Sequence, residues 1–112
     1  HLSLRRQRQM CIRDRGGLMR PFISGCYSLS DERMYRLLAK LADTEHIYLE
    51  PSALAGMYGP VQLVKSPEFR KYLEIENLDS AVSEGTHLVW ATGGSMVPKE
   101  EMERYYRKAK SL

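Results

Sequence analysis

Two short stretches of this chain carry the residue types that can do chemistry. Thr92-Gly93-Gly94-Ser95 follows the apolar run His87 to Ala91, and Glu50-Pro51-Ser52 follows His46-Ile47-Tyr48-Leu49. A threonine hydroxyl both donates and accepts, so Thr92 can partner a ring nitrogen in either protonation state. Gly93 and Gly94 let a flat ligand approach the backbone with no Cβ in the way, or they serve a tight turn with positive φ. Glu50 and Ser52 can orient a ligand at a helix N-terminus, or act as cap and dipole partners there. Outside these stretches the chain has no phosphate loop, no GxGxxG and no Ser/His/Asp set, so no catalytic residue is assigned. His46 and His87 lack a second ligand at metal spacing, which leaves no metal site and favours structural or surface roles. Cys26 and Trp90 read as core residues.

The elements that must position these residues follow from pattern. Met34, Leu37, Leu38 and Leu41 recur at helical spacing, with Ser28 or Ser30 as N-cap and Asp31 and Glu32 in the first turn. His46 to Leu49 is short and β-prone and reads as a strand, and Pro51 suits the first position of a helix of small residues that Gly59-Pro60 stops or kinks. Pro67 to Leu73 reads as a short helix and Glu74 to Gly85 as a polar connection. His87 to Ala91 reads as a second, buried parallel strand. Pro98 opens a last helix with Glu100 and Glu101 early, Arg107, Lys108 and Lys110 late, and Met102, Tyr105, Tyr106 and Ala109 as its buried face. This alternation predicts an α/β fold of parallel strands with flanking helices, and two strands are too few for an independent sheet.

Bulk properties narrow the class. At 112 residues the chain holds one domain at most. No apolar run approaches the ~18 residues that span a bilayer, and no secretory signal is evident. Two cysteines, Cys11 and Cys26, form neither a metal pattern nor a disulfide framework, so the expected setting is reduced and cytoplasmic. The formal charge of +3 is unevenly spread. Arg5, Arg6, Arg8, Arg13 and Arg15 face only Asp14 within residues 1–15, whereas residues 16–112 are close to neutral. Such an arm can neutralise phosphates. It has no aromatic residue to stack on bases, however, and its composition reads as a non-native or disordered leader ahead of a partial domain over residues 16–112.

LEPSALAGMYGP (residues 49 to 60) and THLVWATGGSMVPKEEMERY (86 to 105) together resemble the carboxyl-terminal end of the D-serine dehydratase (D-serine ammonia-lyase) family. YSLSDERMYRLLAKLADTEHIYLEP (27 to 51) fits the approach to the first of them. The family belongs to the fold-type II pyridoxal-phosphate enzymes, alongside the serine and threonine dehydratases. Ser95 departs from the pattern where a third glycine is usual, and Tyr58 where a smaller residue is. The resemblance implies the carboxyl-terminal part of an α/β large domain, incomplete as given, with pyridoxal 5'-phosphate as cofactor and D-serine as substrate of the parent enzyme. It implies that the Thr92 hydroxyl meets the pyridine nitrogen, that Gly93 and Gly94 give the ring edge room, and that Glu50 and Ser52 stand behind the cofactor. The Schiff-base lysine and the phosphate loop match nothing here, Lys40, Lys65 and Lys71 included, so the rest of the parent chain is the implied partner and the fragment alone is expected to be inactive. The alternatives are another dehydratase acting on L-serine or L-threonine, and a basic-arm binding module. Neither nucleic acid nor membrane is expected as a partner.

Overall fold

The computed structural model describes residues 16–112, and the arginine-rich segment 1–15 lies outside the described residues. Residues 16 to 19 are helical, and after a turn the chain continues without regular structure to residue 30. Five helices and a 3₁₀ helix follow: α1 Asp31–Glu45, the 3₁₀ helix Pro51–Tyr58, α2 Gly59–Lys65, α3 Pro67–Ile75, α4 Asp79–Glu84 and α5 Lys99–Lys110.

The α/β expectation fails, because no strand occurs among the described residues. Residues 46 to 49 and 87 to 91 are β-prone in type, yet a strand exists only with a ladder beside it. Between the two regions, among the described residues, runs one backbone hydrogen bond, from the Glu50 N–H to the Gly93 carbonyl at 3.3 Å. The first expected strand also begins on the wrong backbone. His46 sits in the left-handed region at φ 57° as the C-cap of α1, and its N–H returns to the Ala42 carbonyl at 3.1 Å. Histidine is among the residues that tolerate this conformation. Trp90 is 76% exposed and Cys26 is exposed as well, so neither is a core residue.

Helix α1 forms where its stripe predicts. Ser30 caps it, accepting from the Arg33 N–H at 3.4 Å, and Asp31 and Glu32 occupy the first turn. Its buried face meets α5 on one side and the 3₁₀ helix on the other. The centre is small: Leu38, Leu54 and Ala109 are buried together, with Tyr35, Leu49, Met57 and Tyr105 packed around them. Pro51 begins the 3₁₀ helix, and the chain passes into α2 at Gly59-Pro60, changing helix type rather than stopping. Tyr58, at that junction, is held by Arg33, whose guanidinium lies 4.5 Å over its ring and donates to its hydroxyl. The stretch read as a polar connection contains α4.

A polar clasp fastens the far ends of α1 and α5. Asp43 accepts from the Tyr106 hydroxyl at 2.5 Å and from the Lys110 ammonium at 2.8 Å. Lys110, then Tyr106, hold the Asp43 carboxyl below the usual range, and Asp43 in turn pushes Lys110 and Tyr106 up. The lowered carboxyl contributes stability that is complete above about pH 3.9 and is lost as pH falls through its folded value. The raised ammonium contributes below about pH 10.4 and loses its contribution as pH rises through its own folded value. The melting advantage of the wild type over Asp43→Asn should therefore be flat from about pH 5 to 9 and shrink on both sides. An advantage that varied across neutral pH would show that other groups control this junction.

Candidate functional site

The two chemistry-bearing stretches lie against each other, although 43 positions separate Glu50 from Gly93 in sequence. Three contacts build the junction. The Glu50 N–H donates to the Gly93 carbonyl. The Ser52 hydroxyl donates to Glu50 Oε1 at 3.1 Å. That same oxygen stands beside Gly93, where an added Cβ would come within 2.5 Å of it. Gly94 packs onto the preceding residues: its φ is +151°, and a Cβ there would lie 2.6 Å from the Tyr48 carbonyl oxygen. Val97 then donates its N–H to the Gly94 carbonyl at 3.1 Å, which closes the turn ahead of Pro98 and α5. The space left by the missing Cβ atoms is thus filled by Glu50, Leu49 and Tyr48.

Thr92 stands at the start of this turn. It is exposed, and its hydroxyl has no hydrogen-bond partner among the described residues. Of the five sequence-assigned residues, Glu50 meets both Ser52 and Gly93, Gly94 packs instead on Tyr48 and Leu49, and Thr92 is carried on the same turn without touching Glu50 through a hydrogen bond.

Clefts open on two sides of the junction. One, of about 290 Å³, is lined by Glu50, Ser52, Asp31, Tyr35, Tyr105 and Lys108. Lys108 lies 4.4 Å over the Tyr35 ring, and burial, followed by the Glu101 carboxylate, pushes the Tyr105 phenol up, so this phenol stays protonated at neutral pH. The other, of about 670 Å³, is lined by Gly94, Ser95, Tyr48, Met102, Tyr106 and Arg107, among others. Sequence reasoning assigned Tyr105 and Tyr106 to the core. Both are half-buried, and each presents an edge to a cleft. Their adjacency at the rim of the α5 stripe was the available signal, since neighbouring residues on a helix face different ways. Among the described residues no three His, Cys, Asp or Glu side chains gather as a metal would require.

An unpartnered hydroxyl thus stands on a turn locked to a Glu-Pro-Ser helix entrance. Comparison with known proteins adds the family. Over 97 residues, 87% of this chain and 21% of the relative, the sequence is 60% identical to "Probable D-serine dehydratase" of Bacillus cereus (strain B4264). It is 56% identical over the same span to the proteins of that name from Bacillus mycoides (strain KBAB4) and Bacillus thuringiensis (strain Al Hakam). No protein-family model matches the chain, and no solved structure does. The chain belongs to the D-serine dehydratase family, and it spans about a fifth of the length of the curated relatives it matches.

The residues present fit pyridoxal 5'-phosphate along one edge. A ring nitrogen needs a single partner able to donate, and the Thr92 hydroxyl is free to be that partner.

Proposed function

We propose that this chain supplies one wall of the cofactor site of a cytoplasmic D-serine ammonia-lyase, which converts D-serine into pyruvate and ammonia. The remainder of the parent chain supplies the Schiff-base lysine and the phosphate loop. One observation carries the reading: the Thr92 hydroxyl is unpartnered among the described residues while the turn bearing it is fixed to Glu50, whose carboxylate Ser52 holds. The relatives' names support D-serine over the L-isomers as substrate. For the setting, no helix among the described residues is long and apolar enough to cross a membrane.

Bound pyridoxal phosphate would supply the electron sink that stabilises negative charge at the substrate α-carbon, so that the hydroxyl on the neighbouring β-carbon can leave. The chain's own part is to hold the ring and to set its polarity. Thr92 offers a neutral hydroxyl to the ring nitrogen, where a carboxylate would favour a protonated ring. By leaving the ring nitrogen neutral, the Thr92 hydroxyl would favour expulsion of the β-hydroxyl over return of a proton elsewhere. The Glu50 carboxylate, which stands beside Gly93 in the turn, accepts from the Ser52 hydroxyl.

Thr92→Ala in the intact enzyme should weaken cofactor binding by about threefold to tenfold, as expected for the loss of one hydrogen bond, and lower the elimination rate as well. Thr92→Ser should restore both. If cofactor dissociation and elimination are unchanged in the alanine variant, Thr92 does not hold the ring.

A further inference from the structure

Only one of the two adjacent glycines needs its special backbone freedom. Gly94 has the positive φ, whereas Gly93 does not. Something other than a turn must therefore account for glycine at position 93, and Glu50 provides it. A Cβ on Gly93 would lie 2.5 Å from Glu50 Oε1, 2.8 Å from Cδ and 3.1 Å from Cγ, so the whole end of this side chain occupies that space. The Ser52 hydroxyl donates to the same Oε1, which fixes the carboxylate's orientation against the turn. The backbone adds a second tie, because the Glu50 N–H is bonded to the Gly93 carbonyl at 3.3 Å.

We infer that Glu50 is a positioning residue: its carboxylate, oriented by Ser52, is a wedge against Gly93 that sets where the Thr92 hydroxyl stands. This rests on the proposed role of Thr92. Glu50 acts by shape and hydrogen bonding, with its charge directed to Ser52 and the turn. Its effect on the cofactor passes through Thr92, and a side chain of the same length bearing an oxygen for Ser52 does the same work.

A double-mutant cycle in the intact enzyme tests this, read as the dissociation constant of pyridoxal phosphate from the apoenzyme by fluorescence titration. Glu50→Ala should raise that constant by about threefold to tenfold, and Glu50→Gln should leave it near the wild-type value. In a Thr92→Ala background, Glu50→Ala should add nothing further. Effects of the two substitutions that multiply, or a Glu50→Gln variant as impaired as Glu50→Ala, would show that the carboxylate acts on the cofactor directly and would overturn the inference. So would a Glu50→Ala variant that binds normally. A second readout does not depend on Thr92. Hydrogen exchange at the residue 50 amide, which is bonded to Gly93, should quicken in Glu50→Ala, and unchanged exchange would remove the wedge. If Thr92→Ala alone leaves the dissociation constant unchanged while this exchange quickens, the proposed role of Thr92 fails and the wedge stands. Should Glu50→Ala not fold, Ser52→Ala, which removes only the orienting hydroxyl, is carried through the same cycle with the same expected pattern at smaller amplitude.

Discussion

Truncating Leu54 to alanine should lower the free energy of opening of α1 and the 3₁₀ helix by roughly 2–5 kcal/mol, the range for removing a buried leucine from a packed centre. Leu54 is fully buried and belongs to the one cluster that joins α1, the 3₁₀ helix and α5 through Leu38 and Ala109. The centre holds few buried side chains, so little surrounding material can collapse into the cavity, and the upper part of the range is expected. The consequence extends to the site, because the 3₁₀ helix carrying Leu54 also carries Ser52 and begins directly after Glu50. Hydrogen exchange of the α1 amides in the intact enzyme measures the loss. A change under about 1 kcal/mol would mean that Leu54 is not the keystone of this packing.

Gly94→Ala should be nearly as damaging, by a different route. At φ +151° an L-residue is strained, by on the order of 1–3 kcal/mol. The new Cβ would also lie 2.6 Å from the Tyr48 carbonyl oxygen and 3.0 Å from the Leu49 Cα. Both are backbone atoms, so no side-chain rotation relieves the contact, and overpacking adds a further ~1–3 kcal/mol. The turn must lift away from Tyr48 and Leu49, taking Thr92 with it. The intact variant should retain little cofactor after gel filtration, and its melting temperature should fall. Gly93→Ala is the milder neighbour, because the atoms it meets are the end of a glutamate side chain that can swing aside. If Gly94→Ala retained its cofactor and Gly93→Ala did not, the assignment of the two glycines would be reversed.

What the sequence made legible, and what it did not, divides along physical lines. Helix α1 was readable because its determinants are local: a serine cap, acidic residues in the first turn and an apolar stripe. Leu38 is 1% exposed as that stripe predicts, while Ala42, buried equally deeply, was missed because alanine gives a weak apolar signal. Helix α5 was readable from its acidic first turn, basic last turn and apolar stripe, with Met102 and Ala109 buried. The expected strands failed because β-propensity describes fitness for a pleated, half-buried surface, and no such surface adjoins residues 87 to 91 among the described residues. Leu88 and Trp90 show the cost of reading burial from residue type, since both are largely exposed. His46 offered a signal that went unused: a histidine just past a helical stripe suits a left-handed C-cap better than the start of a strand. At the candidate site, residue types singled out two stretches that meet in the fold. Their contact through Glu50 and Gly93 could not be read, because nothing local encodes a meeting between residues so far apart.

The account rests on the Thr92 hydroxyl reaching the nitrogen of the cofactor ring. The most direct measurement is the nitrogen-15 chemical shift of ring-labelled pyridoxal phosphate bound to the intact enzyme, compared with its Thr92→Ala variant. A neutral, hydrogen-bonded nitrogen in the wild type whose shift moves toward that of an unbonded ring on loss of the hydroxyl is the predicted result. A shift identical in both proteins, or one typical of a protonated nitrogen in the wild type, would contradict it.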